Sequence, residues 1–301
     1  MDVTGSASKQ TSLAEAAASV PDGATIALGG LSMNSAPMAF VRELVRADKR
    51  DLTVVAIVAG MCVDWLVAAG AVSRVVAGLV SFEGLGLAPH FRRAVERGET
   101  TMEEYSEHLL ICRLQAQARR LPFMPTVAGL GTDVPALHAG SGTLRIETDT
   151  ATGRPYVACT PLAVDVAVVH VHEADATGNA RVHPKLIWMD SEIVNAADRS
   201  VVTAERIVDN ASFTAEPHRS SYPRFMVDAV CAAPRGAYPT SCFPDYGHDD
   251  GFYADYVAAC GSPADFGAFW ERRIAGPETW DDVLAANGAA VTDGRVAGGS
   301  T

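Results

Sequence analysis

Apolar runs punctuated by glycine and proline set out this chain. Ala24 to Leu28 lies between the turn Pro21-Asp22-Gly23 and the doublet Gly29-Gly30, which predicts a first strand. Leu52 to Val58 and Arg74 to Val80 repeat that pattern as second and third strands. Ser12 to Ala18 reads as a short helix, and Pro37 fits the first turn of another through about Ala47. Val63 to Ala69 predicts a helix closed by Gly70, and Pro89 to Arg97 one stopped by Gly98. Apolar strands alternating with helices imply an α/β fold, a parallel sheet flanked by helices.

Further on, Leu110, Leu114, Ala118 and Leu121 recur at helical spacing until Pro122 and Pro125 end the pattern. Upstream, Thr101-Met102-Glu103-Glu104 has the spacing of a capping box, and Ser106 offers a second cap. Glu104 and Glu107, three apart, would then share one helix face, and capping alone would account for Glu104. Ala128 to Thr132 (A-G-L-G-T) is a glycine-rich loop, followed by a turn-rich passage to about Pro155. Ala163 to Val171 is the clearest strand of the second half, and it runs into a turn over 173–179. Ser191 to Ala197 predicts a helix, Val201 to Val208 and Met226 to Cys231 strands, and Asp249 to Ala259, Pro263 to Ile274 and Thr279 to Ala286 helices. Residues 1–10 and 288–301 are polar and small and read as flexible tails.

Composition narrows the function. With 301 residues, 48% of them hydrophobic, the chain can bury a sizeable core. A net charge of -12, from 24 basic and 36 acidic residues, argues against nucleic acid or an anionic membrane as the main partner. Six cysteines without a CxxC pair fit neither a zinc ribbon nor a disulfide framework and read as reduced thiols. No apolar segment of signal type opens the chain, and no run approaches the ~20 residues that span a bilayer, so a cytoplasmic protein is expected.

Candidate chemistry lies at the strand ends. Phe82, Glu83 and Gly84, within S-F-E-G-L-G, put a carboxylate between glycines where open α/β sheets bind ligands, although a solvated turn would look the same. Gly29-Gly30 allows close approach to a ligand, yet no GxGxxG and no Gly-Lys-Ser or Gly-Lys-Thr follows. A carboxylate at Glu83 or Glu104 could act as nucleophile or general base, with the N–H groups of Gly30, Gly84 or Gly86 as an oxyanion hole. The doublets Arg92-Arg93 and Arg119-Arg120 are the nearby basic groups, or solvated helix faces. His170-x-His172 could place two imidazoles on one strand face, but no third ligand stands at a convincing spacing, so core histidines and no metal are expected. Cys112 falls within an apolar helical pattern, and there is no G-x-S-x-G elbow.

Taken together, Gly29-Gly30 with Pro37-Met38-Ala39, the run S-F-E-G-L-G-L-A-P-H-F-R-R-A, then M-E-E-Y-S, L-P-F-M-P, G-L-G-T and D-V-A-V-V-H-V-H-E-A-D-A-T-G-N-A resemble the A (α) subunit of the family I CoA-transferases, on the glutaconate CoA-transferase side. The likeness runs over roughly residues 12–275 and implies one CoA-transferase-like α/β domain over 11–287. It implies a partner, the B (β) subunit, in an α2β2 assembly, with the nucleophilic glutamate that forms the enzyme–CoA thioester on the B chain. An acyl-CoA is then the substrate, and no cofactor is permanently bound. Relatives in the family include decarboxylases of a glutaconyl-CoA and hydrolases that open the last steroid ring as its CoA thioester. The hydrolases look to use an A-subunit glutamate whose motif falls here on Glu104, with Glu107 the second choice. Gly29, Gly30, Ser32, Asn34, Phe82, Glu83, Gly84, Gly131 and Thr132 are the implied substrate and CoA contacts. One departure stands out: Ser32 to Ala36 contains no basic residue where many relatives look to place one or two, which favours an apolar or larger acyl group over a dicarboxylate.

Overall fold

The computed structural model describes residues 7–182 and 189–289. In chain order the first half holds α1 (Leu13–Ala18), β1 (Thr25–Leu28), α2 (Met38–Arg46), β2 (Leu52–Ala59), α3 (Met61–Ala68), β3 (Val72–Val80), α4 (Pro89–Glu96), β4 (Thr101–Glu104) and α5 (Glu107–Ala118). Then come β5 (Met124–Thr126), α6 (Val134–Leu137), β6 (Leu144–Thr148), β7 (Pro155–Cys159), β8 (Val164–Ala174) and β9 (Ala180–Arg181). The chain continues with α7 (Asp190–Ala196), β10 (Ala197–Ile207), α8 (Asn210–Ala215), β11 (Ala229–Ala232), α9 (Asp250–Ala259), α10 (Pro263–Trp270) and α11 (Trp280–Ala286).

The main sheet has the order β11-β10-β8-β1-β2-β3-β4, and all of these neighbours pair in parallel. Among the described residues only β9 joins it antiparallel, against the end of β8. Every residue of β2 is buried, as a central strand covered on both faces requires. Alternation divides its side chains between two cores: Val54 and Ala56 face one, Val55 and Ile57 the other. The first core is closed by α1, α2, α3 and the C-terminal helices, through Phe40, Trp65, Phe252 and Trp280. The second is closed by α5, α7 and the small antiparallel sheet β5-β7-β6, through Leu109, Leu114, Ile193 and Val157.

Two elements differ from what the sequence pattern predicts. Thr101–Glu104 is not a capping box but the edge strand β4, paired with β3; Ser106 is the N-cap of α5, accepting the Leu109 N–H at 3.3 Å. Its charged residues hide a strand because an edge strand tolerates polar side chains. The passage to about Pro155, expected as turns, contains β6, a short strand interrupted by the charges of Arg145 and Glu147, and β7 begins where that passage ends. At the ends of the chain, residues 1–6 and 290–301 of the expected tails lie outside the described residues. Lys9 donates its N–H to Ala176 O at 2.7 Å and its ammonium to Val227 O at 2.6 Å.

One buried acid organises the helices over the first core. The N-cap position of α4 is Ala88, which has no side chain to satisfy the helix's first N–H groups. Asp64 of α3 does so instead, accepting the Phe91 N–H at 2.7 Å and, on its other oxygen, the Tyr256 hydroxyl of α9 at 2.9 Å. Burial pushes its carboxyl up to about 6, against the pull of those donors. A raised folded pKa favours the protonated form, so this contribution is complete below pH 4 and is lost as pH rises through about 6. Asp64→Asn keeps the acceptor but removes the titration. Urea unfolding should therefore show the wild type losing about 3 kcal/mol relative to the variant between pH 4 and pH 8. An unchanged difference across that range would refute a buried, titrating Asp64.

Candidate active site

Because the strands run parallel, their carboxyl ends share one edge, and the turns that follow β1, β2, β3 and β4 line it. The turn after β1 is the most constrained. Gly30 has φ of +84°, and a Cβ there would lie 2.4 Å from Asn34 O. Only glycine can make this turn. Ser32 and Ser35 also take positive φ, each +53°. Leu31 and Asn34 exchange backbone hydrogen bonds of 2.9 Å, and Ser32 donates its N–H to Val58 O, so the turn lies across the end of β2. There it meets Gly60, whose Cβ would come 3.0 Å from Ser32 O and 3.1 Å from Ser81 O. Gly60 is thus where the turns after β1, β2 and β3 converge. It is not among the residues the sequence singles out, since an isolated Ala-Gly between a strand and a helix carries no motif.

The turn is clamped from both faces of the sheet. From the side of the second core, Asp190 at the start of α7 accepts the Gly30 N–H at 2.9 Å. From the other side, Ser241 donates its N–H to Met33 O and its hydroxyl to Asn34 Oδ1, and its carbonyl accepts the Ser35 N–H. Thr240 accepts the Ala36 N–H at 3.2 Å. Behind Ser241, Glu205 of β10 accepts the Tyr246 hydroxyl, the Arg235 N–H at 2.6 Å and His170 Nε2–H at 2.7 Å. Burial pushes the Glu205 carboxyl up, but bonds from His170, Tyr246 and Arg235 outweigh it and hold the group below its ordinary value. His170 also meets Thr203 Oγ1 at 2.9 Å, so both its ring nitrogens are partnered. His170, Glu205 and Cys242 bring potential ligand atoms within 4.8 Å of one another, and the carboxylate there already accepts three hydrogen bonds.

On the other flank lie the acids. Glu104 ends β4 in register with Ala77 of β3, so it shares that residue's sheet face. Its carbonyl accepts His138 Nε2–H at 2.7 Å, with the imidazole stacked on Tyr105, while its carboxylate has no hydrogen bond or ion pair among the described residues. Glu103, one residue earlier, is instead bound to Arg113 at 3.2 Å, Arg74 at 3.5 Å and the Tyr105 hydroxyl. Glu107 opens α5 and lies against Gly78, whose Cβ would be 3.3 Å from Glu107 Cγ. Glu104 and Glu107 therefore do not share a helix face; one ends a strand and the other begins a helix. Glu83 takes φ of +50° in a short turn over buried Phe82, with Gly84 exposed beside it. Of the N–H groups proposed for an oxyanion hole, Gly30 is committed to Asp190 and Gly86 to Glu83 O, which leaves Gly84. Gly131 and Thr132 are exposed in the loop that packs through Gly129 on Leu109 of α5.

Gly29, Gly30, Ser32 and Asn34 thus gather at one end of the edge and Glu104, Glu107, Gly131 and Thr132 at the other, with Phe82, Glu83 and Gly84 between. The Ser32 hydroxyl is enclosed without a partner among the described residues. A separate hollow of about 510 Å³, lined by Phe123, Val127, Arg154 and Tyr156, lies on the small sheet and includes none of these residues.

Comparison with known proteins gives the following likenesses. A family described as Coenzyme A transferase matches residues 10–233. The chain is 36% identical, over 90% of its length and 94% of the relative's, to the cholesterol ring-cleaving hydrolase IpdA subunit of Mycobacterium tuberculosis. It is 30% identical, over 90% and 88%, to the A subunit of glutaconate CoA-transferase from Acidaminococcus fermentans. Superposed on the crystal structure of that glutaconate coenzyme A-transferase it gives a TM-score of 0.87 at 29% identity, covering 94% of this chain and 93% of that one. On the decarboxylase AibA/AibB the TM-score is 0.77 at 31% identity, covering 88% and 98%.

The contrast between two glycines tests the turn geometry. Gly30→Ala must both hold a positive φ and displace Asn34, and is expected to cost about 1–3 kcal/mol in denaturant unfolding. Gly84→Ala meets nothing within 4 Å and should stay within about 0.5 kcal/mol of the wild type. Equal stability of the two variants would show that the Gly30 turn is not held as described.

Proposed function

Because this chain belongs to the Coenzyme A transferase family, we propose that it is the A subunit of a heteromeric enzyme that acts on an acyl-CoA and moves CoA between carboxylic acids. The observation that carries this reading is the open edge itself. A glycine-lined turn and a carboxylate unpaired among the described residues share it, and Leu79, Leu85 and Leu87 beside Glu83 are 42–52% exposed. Apolar side chains beside a reactive edge call for a second surface that covers them and excludes water.

That surface belongs to a B subunit, in an α2β2 assembly, whose glutamate is the nucleophile and carries CoA as a thioester between the two half-reactions. Relatives named as the A subunits of CoA-transferases support the partner. This chain then supplies the floor of the site: the Gly29-Gly30 turn and Asn34 toward the acyl group, and Phe82 to Gly84, Gly131 and Thr132 toward CoA. The CoA thioester is substrate, and no resident cofactor takes part. Among the described residues no helix is long and apolar enough to cross a membrane. The six cysteines are free and buried, as suits the reduced thiols of a cytoplasmic protein.

A second reading rests on Glu104. Its carboxylate has no hydrogen bond or ion pair among the described residues, which supports a role as a base on water, and the 36% identity to a ring-cleaving hydrolase subunit favours hydrolysis of a carbon–carbon bond in a CoA thioester.

Borohydride trapping separates the two. The complex copurified with its partner and incubated with acyl-CoA should yield a reduced glutamate on the partner chain; turnover without that adduct would overturn transfer. Under transfer, Glu104→Gln leaves CoA exchange within about threefold, whereas under hydrolysis it lowers turnover by about 100-fold or more.

A further inference from the structure

Asp190 is a buried carboxylate without a cationic partner among the described residues, and it touches the turn on which the proposed site depends. It is 5% exposed, one oxygen accepts the Gly30 N–H at 2.9 Å, and its other oxygen lies 3.0 Å from where a Gly29 Cβ would stand. Burial raises its carboxyl to about 6, against the pull of the Gly30 N–H and of His170. Such a group destabilises a fold unless it holds something in place. What it holds is Gly30 in a conformation that only glycine adopts, at the root of a turn with two further positive-φ residues. Gly29 has no side chain where one would push Asp190 away. The helix it opens also packs on α5, where Gln115 Nε2 donates to Glu192 Oε1 at 3.2 Å. Asp190 therefore lies between the glycine turn and the element that follows Glu104.

We propose that Asp190 is a positioning residue for the acyl-CoA site: by accepting the Gly30 N–H it fixes the 29–36 turn in its binding conformation, without itself touching substrate. The catalytic consequence rests on the acyl-CoA reading above; the structural one does not. An amide at this position can still accept the N–H, so acceptor capacity and not charge is what the turn requires.

The test uses the complex with its partner chain and reads both amide hydrogen exchange over residues 29–36 and the kinetics with an acyl-CoA. Asp190→Ala should raise exchange in that segment about tenfold or more and lower kcat/KM about 10- to 100-fold, chiefly through KM, as loss of a buried hydrogen-bond acceptor that leaves the Gly30 N–H unsatisfied predicts. Asp190→Asn should stay within about threefold of the wild type in both. Gly29→Ala, which crowds Asp190 from the other side, should reproduce the alanine variant if that variant fails to assemble. Faster exchange in Asp190→Asn, or unchanged exchange in both Asp190→Ala and Gly29→Ala, would overturn the proposal. A wild-type complex without acyl-CoA turnover whose turn still loosens in Asp190→Ala would refute the functional reading and leave Asp190 as the anchor of the turn.

Discussion

Glu205 is the buried charge on which the glycine side of the site depends. Its carboxylate receives one donor from each structure it joins: His170 on β8, the Arg235 N–H where the chain leaves β11, and Tyr246 at the far end of the same loop. A carboxylate in the interior is costly alone and stable when its lone pairs are filled, so removing a partner leaves a charge that nothing else can satisfy. The loop over 235–246 is pinned at both ends for this reason, and its middle, Thr240 and Ser241, supplies the bonds that brace the turn after β1. The strained turn is thus not stable on its own account. It is held by a chain of contacts that runs from β10 through the loop to Asn34 and, from the opposite face, by Asp190.

The parallel sheet gives this arrangement its scale. Between the turn after β1 and the end of β4 stand two strands, so three spacings separate the glycine turn from Glu104, about 14 Å. The middle of that distance is filled by the turn at Phe82 to Gly86 and the exposed leucines beside it. An edge of this length with acids at one end and uncharged, clamped backbone at the other suits a substrate whose two ends differ in polarity.

How far the sequence disclosed this follows from which interactions are local. The strands β1 and β2, and the middle of β3 over Val75 to Ala77, were legible because burial on both faces demands unbroken apolar runs, and the glycines after them because tight turns demand glycine. Strand β4 was not, because an edge strand is free to carry Glu103 and Glu104, and Thr-x-x-Glu has the spacing of a helix cap. Asp190 and Glu205 gave no signal at all. Neither belongs to a motif in its own stretch, and the meaning of each comes from a partner 160 and 30 residues away. Gly60 escaped for the same reason, since it is defined by carbonyls at Ser32 and Ser81 and not by its neighbours in sequence.

The adjacent acids of β4 show how the fold assigns chemistry that composition leaves open. Successive side chains of a strand point to opposite faces, so Glu103 and Glu104 cannot share an environment. Glu103 faces Arg113, which is itself nearly enclosed and bonded to Thr160 O, and there the acid is a structural counter-ion. Glu104 takes Ala77's face at the open end of the strand, with its backbone fixed by His138 and its carboxylate unpaired among the described residues. A rigid backbone with a free side chain is what general acid–base work requires, because the group must be placed yet uncommitted. A helix cap would be the reverse, a side chain already committed to the backbone N–H groups of its own first turn. Ser106 fills that role here, and so the geometry that removes Glu104 from the helix is also the one that frees it for chemistry.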